Sequence, residues 1–435
     1  MKTLQLANIR QYLLYGILLT LPLERIPSVS VGANGTTIRI SQLLGLALIL
    51  LSTKLLWSSR AKLMQLPWVF LVLFNVVVVI SAAVSQHPKE SLTIAAFIGF
   101  VSVLSFTIAT VFDPNHLKRY LSYGLIGVVM SCLFGIYQYF GDLADLPGWL
   151  TGLSQNYMKG GIFPFPRIQS TALEPLFFAN YLLVPLALLV VSQLFTKLRS
   201  WPFSLLVLTV ILLSLSRGAQ VAAIIIVIVL IAIGLYRKRT MPALKVVATG
   251  LGATIITLAC IGLGSFLYGD VYGVNKKPSV QHNIEEFTDQ ATNVNKGESA
   301  EGRALARKLA AMAVVENPLI GIGAGNYGYY ANQQEPVKFP SSETIVNNET
   351  LEIAAEQGFI GLILILLFSL SLAKLAASFI LSGSDRSLRL VALGLLVGLA
   401  GIAFQYQLFS TLYITHIWVY IGLLAGVTVG AKKVS

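Results

Sequence analysis

The chain is poor in charge. Of its 435 residues only 11% are Asp, Glu, Lys or Arg, while 55% are hydrophobic, and ordinary soluble domains carry about 25% charged residues. That deficit excludes a water-soluble globular domain. Cysteine is scarce too: Cys132 and Cys260 both lie inside apolar runs, where they read as small buried hydrophobes rather than a disulfide or a metal pair. The four histidines (His87, His116, His282 and His416) show no metal-ligand spacing. No phosphate-binding loop or dinucleotide fingerprint follows a strand-like segment. The expectation is therefore a protein without metal or nucleotide cofactor.

Long apolar stretches fill the space that charge leaves. Twelve candidate spans fall near residues 9–23, 38–58, 66–84, 91–112, 119–140, 172–195, 202–216, 218–236, 243–267, 350–378, 387–408 and 411–430. Runs of about 18 or more apolar residues mark membrane helices, so the fold class expected is an all-α polytopic membrane protein. The first run is followed by Glu24 and Arg25 without a small-residue cleavage site and reads as a retained helix. No internal repeat or low-complexity tract interrupts the pattern.

Basic residues sort by side. With the N-terminus in the cytoplasm, the inner segments hold 18 basic residues against only Asp113 and Asp385, and the outer segments hold 13 basic against 17 acidic. Short inner loops such as "TKLRS" and "YRKRT" show the positive-inside bias, which places both termini in the cytoplasm. The net charge of +12 is then largely an orientation signal and calls for no nucleic-acid partner. Three divisions follow: 1–267 with helices one to nine, an outer loop over 268–349, and 350–435 with helices ten to twelve.

The outer loop is far longer than usual connections, and such loops are functional or disordered. Within it "GRALARKLAAMAVVENP" spaces Leu305, Leu309, Met312 and Val314 or Val315 as an amphipathic helix ending before Pro318, suited to a membrane surface or a cavity lid. "GIGAG" alternates Gly321, Gly323 and Gly325, which would let backbone approach a ligand or pack tightly. Tyr327, Tyr329 and Tyr330 beside it suit either sugar stacking or an interfacial aromatic belt.

Four outward arginines need an explanation. From Trp201 to Tyr236, Arg217 is the only charged residue, and an arginine at a helix centre costs roughly 2.5–3.5 kcal/mol. Arg217 either sits at a hairpin turn bent by Gly218 and reaches water, or meets an anion. Arg167 follows "IFPFP", and Arg303 and Arg307 lie one turn apart, either on a solvated face pairing with Glu298 or Glu301 or facing a ligand. A planar, permanently charged guanidinium matches phosphate oxygens in pairs. Glu174, before Pro175, suits a helix start or a general base. Asn347 or Asn348 suits an N-cap, with Glu349, Glu352 and Glu356 following on roughly one face.

These pieces, "LSRGA", "GR", "ENPLIGIGAGNYG" and "NNETLEIAAEQGFIGL", stand in an order that resembles the bacterial O-antigen ligase and polymerase superfamily over roughly residues 200–370, and "PRIQSTALEP" resembles the matching region of polymerase members. The resemblance implies a GT-C-like architecture of about twelve transmembrane helices with a large, partly helical outer loop. It also implies a membrane glycosyltransferase in the bacterial inner membrane, acting on a polyprenyl-diphosphate-linked glycan donor and a glycan or lipid-linked acceptor. Arg217, Arg303, Arg307 and Arg167 would bind the substrate diphosphate, and Glu174, Asn347 and Asn348 would be the catalytic candidates. Ligases of the family carry a His-Asn pair where this chain has Asn347-Asn348, and asparagine is no base at neutral pH. This shifts the expectation toward a polymerase of lipopolysaccharide or exopolysaccharide repeats, with an O-antigen ligase as the alternative. A small-anion (bicarbonate-like) transporter is the alternative from another class. Against it, no span carries a central acidic residue for proton coupling.

Overall fold

The computed structural model describes residues 2–25, 28–31, 36–159, 165–271, 298–342 and 344–430. Its long helices are α1 (Lys2–Thr20), α2 (Ile40–Ser58), α3 (Trp68–Val84), α4 (Pro88–Val111), α5 (Leu117–Leu143), α6 (Pro175–Phe195), α7 (Trp201–Leu213), α8 (Arg217–Tyr236), α9 (Thr240–Val271), α10 (Glu298–Glu316), α11 (Tyr327–Gln334), α12 (Glu349–Ser382), α13 (Arg386–Gln405) and α14 (Thr415–Gly430). Each of the twelve apolar runs is helical, because helix formation satisfies every backbone group within the run itself. Eight of these helices are long and apolar enough to cross a membrane, and α3, α7 and α14 are shorter apolar helices. The chain is an all-α polytopic membrane protein. Among the described residues the β structure is one antiparallel hairpin, β1 (Ser28–Val31) with β2 (Thr36–Arg39), in which Val29 pairs with Ile38. Cys132 and Cys260 are both free.

The chain groups into two compact units. One holds Met1–Ala47, Asn115–Asn293 and Leu393–Ile402; the other holds Leu48–Pro114, Val294–Ala392 and Ala403–Ser435. In the first, α6 is the buried centre: Leu182, Leu183, Val184, Leu186 and Ala187 are fully enclosed, with α7, α8 and α9 packed against it. A helix apolar all round belongs in such a place. Outward residues of α8 and α9 such as Ile224, Ile228, Leu251 and Ile255 stay exposed and apolar, as a lipid-facing surface requires.

In the second unit α3 packs on α4 and α12, and α4 packs on α14. Trp68, Phe106, Phe368 and Trp418 form its aromatic core, with Trp68 edge-on to Phe106 at 5.1 Å between ring centres. The indole N–H of Trp418 donates to the Leu412 carbonyl at 2.7 Å, so that its buried donor is satisfied.

Helix α12 breaks at Gly358, whose φ is 68° and ψ −176°. The break releases backbone groups that must find partners, and the stretch 318–323 supplies them. The Ala355 and Glu356 carbonyls accept from the Ile322 and Gly323 amides at 3.0 and 2.9 Å. The Phe359 amide donates to the Pro318 carbonyl at 2.8 Å, and the Ile360 amide to the Leu319 carbonyl at 3.3 Å. Ser81 Oγ donates to the Glu356 carbonyl at 2.7 Å. This docking accounts for Gly321 as close packing of backbone on backbone, while a Cβ at Gly323 or Gly325 would meet the side chains of Ser85 and Ile94. Gly321 has φ +71°, and a Cβ there would lie 2.3 Å from the Glu356 carbonyl carbon.

The amphipathic helix α10 is present, with Leu309 and Val314 on its buried face and Leu305 packed against it, while Met312 falls off that face. The face that packs is Ala306, Leu309, Ala310, Ala313 and Val314, against Tyr327, Ala331, Val346, Ala354 and Ala355, while Met312 and Val315 are exposed. Small residues on both sides let α10 approach the first turns of α12 closely. The large residues mark the packed face through Leu305, Leu309 and Val314, whereas Ala306, Ala310 and Ala313 complete it without a signal, because alanine carries little weight in hydrophobic periodicity.

Gly321→Ala is expected to lower the melting temperature of the detergent-purified protein. The left-handed backbone alone costs about 1–3 kcal/mol in a residue with a side chain, and the contact with Glu356 adds to it. An unchanged melting curve would mean that the broken helix does not depend on this docking.

Candidate functional site

In the first unit the site is built around the turn joining α7 to α8. The carbonyls released at the end of α7 are all met. Gln220 Nε2 donates to the Leu212 carbonyl at 3.0 Å, and the Ile168 amide to the Leu213 carbonyl at 3.3 Å. Arg167 Nε donates to the Ser214 carbonyl at 3.2 Å. The "PRIQS" segment is thus strapped onto the turn, which brings Arg167 to Arg217. The bend itself is made by Leu215, with φ 54°, and not by Gly218, which lies in the first turn of α8. Ser170, at the other end of the strap, is also left-handed with φ 53°. The Gln138 amide holds it from both sides, donating to its carbonyl at 3.0 Å and accepting from its N–H at 2.6 Å. Left-handed non-glycine residues persist only where their surroundings over-determine them, and they cluster at functional sites.

Arg217 opens α8, and Ser216 at the N-cap makes no side-chain cap bond. A helix start is the positive end of the helix dipole, where a cation is unfavourable and an anion is welcome. Arg217 is exposed there. Burial lowers the pKa of half-buried Arg167, Tyr157 and Glu174 oppose this, and the charge of Arg217 adds to the lowering. Its guanidinium lies over the Tyr157 ring, 5.5 Å from the centre, a cation–π contact. Glu174 is the N-cap residue of α6, yet its carboxylate makes no cap bond. Burial pushes this carboxyl above its ordinary range, and Arg167 pulls it part of the way back. The Arg167 guanidinium thus lies within electrostatic reach of both Arg217 and the half-buried Glu174 carboxylate, an arrangement chemically able to attract an anion. Tyr157 was missed in the sequence because nothing in "LSQNYMKG" sets it apart from any loop tyrosine.

The second unit holds Arg303, Arg307, Asn347 and Asn348. Arg303 and Arg307 are half-buried on α10, and Arg307 Nη2 donates to the Asn347 carbonyl at 3.3 Å. Asn348 is the N-cap of α12: its Oδ1 accepts from the Leu351 amide at 2.9 Å, and its Nδ2 donates to Gln407. Both ends of that side chain are thus spent on structure. Asn347 has φ 57°, a conformation that asparagine and histidine visit more readily than most residues. This is the position where the resemblance expects a histidine, and the backbone suits both.

Glu349, Glu352 and Glu356 each hold neighbouring segments, the first two sharing the loop at 410–411. Glu349 Oε2 accepts from the Thr411 amide at 2.6 Å. Glu352 Oε2 accepts from the Val346 amide at 2.8 Å and from Ser410 Oγ at 2.5 Å. Glu356 Oε1 accepts from the Tyr327 amide at 3.2 Å. In the sequence this row looks like ordinary first-turn chemistry; Glu349 and Glu356 are in fact buried. Among the described residues no group of three or more His, Cys, Asp or Glu is placed to hold a metal ion. His282 lies outside the described residues, as does the Glu298 side chain.

The molecule is thus a multi-pass membrane protein with Arg217 at a helix start and Arg167 within electrostatic reach of it. Residues 202–366 match the family model described as O-antigen ligase. The match bears out the resemblance to the O-antigen ligase and polymerase superfamily, and nothing found supports a transporter. No curated protein matches the chain.

Proposed function

We propose that the chain is a membrane glycosyltransferase that joins polyprenyl-diphosphate-linked oligosaccharide repeats at the outer face of the bacterial cytoplasmic membrane. Both termini would be cytoplasmic and the loop over 268–349 periplasmic. The observation that carries this is Arg217 at the start of an apolar helix, with Arg167 strapped to the same turn and Glu174 beside it. A lipid diphosphate carries its charge at the membrane surface and its tail in the bilayer.

In the proposed reaction a hydroxyl oxygen of the acceptor glycan attacks the anomeric carbon of the donor. The bond from that carbon to the diphosphate oxygen breaks, and the lipid diphosphate leaves with the electron pair. Arg217 and Arg167 stabilise the charge that develops on it, and the acceptor proton passes to the Glu174 carboxylate. Arg303 and Arg307 are assigned to diphosphate binding by the resemblance. Asn347 cannot take a proton, so polymerisation, with Glu174 as base, is preferred over ligation.

Glycan length in a deletion strain complemented with wild type or Arg217→Ala tests the reading. Single-repeat glycans in both the deletion and the mutant, with normal membrane insertion, are expected. Long lipid-linked glycans left untransferred would indicate the ligase, and unchanged glycans in the deletion would exclude both.

The pH dependence follows from Glu174. A base works when deprotonated, so activity should rise with pH and be lost as pH falls through a value above the ordinary carboxylate range. Glu174→Gln should lose most activity and flatten that acidic limb. A limb unmoved in the variant would assign it to another group.

A further inference from the structure

Arg25 lies in the same unit as Arg167 and Arg217, and the chemistry proposed above gives it no part. It follows α1, and its guanidinium spends both terminal nitrogens on the loop that carries Tyr157. Nη1 donates to Ser154 Oγ at 2.9 Å, and Nη2 donates to the Gly152 carbonyl. Burial lowers the pKa of this side chain, so a partly dry charge is held here by neutral oxygens. The rigid fork of donors on arginine suits such a two-pronged grip, which the point charge of lysine does not reproduce.

The grip closes a ring of hydrogen bonds. The Arg25 amide donates to the Thr171 carbonyl at 2.7 Å, and Thr171 Oγ1 donates to the Pro22 carbonyl at 2.6 Å. Within the "PRIQS" strap, buried Gln169 accepts from the Ser154 amide at 3.1 Å through Oε1. Residues 22–25 thus fasten the strap and the Tyr157 loop to each other. From Ser154 the loop makes one helical turn, Gln155–Tyr157, closed by the Tyr157 amide on the Ser154 carbonyl at 2.8 Å. Tyr157 then meets Arg167 twice. Its carbonyl accepts from the Arg167 amide at 2.9 Å, and its ring lies 5.5 Å from the guanidinium.

We infer that Arg25 is a positioning residue for the proposed transfer: by clamping Gly152 and Ser154 it seats Tyr157 against Arg167, and so sets where that guanidinium meets the leaving diphosphate. This rests on the glycosyltransferase reading. Arg25 acts through Tyr157 and touches no reacting atom in this account.

The test uses the full-length protein in lipid nanodiscs, with lipid-linked single-repeat glycan extracted from the deletion strain as the probe. Arg25→Ala should lower kcat about tenfold, less than an ångström of misplacement can cost, with KM little changed, as for an interaction made in the transition state. Because Arg167 holds the Glu174 pKa down, loosening Arg167 should also move the acidic limb of the pH profile to higher pH. A general loss of folded protein would not move that limb, and a limb that stays put in Arg25→Ala would overturn the inference. In a Tyr157→Ala background Arg25→Ala should add little, since contacts acting through one residue are not additive; an equal factor in both backgrounds would overturn it. Should Arg25→Ala fail to insert, Ser154→Ala removes one prong alone and should move the limb the same way by less, and an unmoved limb there would count equally against it. Hydrogen exchange gives a readout independent of turnover: the Arg167 amide should exchange faster in Arg25→Ala, and unchanged protection would overturn the latch. Wild-type protein that transfers no glycan while Arg25→Ala loosens this amide would sink the glycosyltransferase reading and, with it, the catalytic consequence of the latch.

Discussion

In an apolar surrounding a backbone group released from a helix has no water to turn to, and both parts of this molecule are organised by that constraint. Where α7 ends, three carbonyls are released, and the partners that meet them are Gln220, the Ile168 amide and the Arg167 guanidinium. Where α12 breaks at Gly358, the partners are the amides and carbonyls of 318–323. The candidate chemistry sits beside these repairs. Arg167 is brought to Arg217 because it is itself one of the partners.

Much of the fold was legible in the sequence because the signal is crude and long. Each of the twelve apolar runs is a helix. The match over residues 202–366 likewise falls where the ordered motifs pointed. What sequence could not give was anything that depends on small or neutral residues. Much of the packed face of α10 is alanine, and the bend before Arg217 is made by a leucine, although a glycine lies three residues after the bend in "LSRGA". The alternating glycines around 323 suit either close approach to a ligand or tight packing in the sequence, and Gly321 serves the second by letting one backbone lie on another.

The site shows the same division. Arg217 stood out because a charge in an apolar run costs free energy that must be offset somewhere. Glu174 stood out less, since a carboxylate before Pro175 has a sufficient explanation as a helix start; only the structure shows that it makes no cap bond. Tyr157, Ser410 and the burial of the glutamate row carry no sequence signal, because each depends on segments distant in the chain meeting: Ser410 lies 58 residues from Glu352. Asn347 is the reverse case. Its identity was conspicuous, while the reason an asparagine can stand there, a left-handed backbone that histidine also tolerates, was hidden.

The central claim is that the cations at the start of α8 hold a lipid diphosphate. Equilibrium binding of a short-chain polyprenyl-diphosphate disaccharide to the nanodisc-embedded protein tests it most directly, with the corresponding uncharged polyprenyl glycoside as control. The account predicts binding that requires the diphosphate and is lost in Arg217→Ala while Arg237→Ala retains it. Equal binding of the uncharged control, or undiminished affinity in Arg217→Ala, would contradict it.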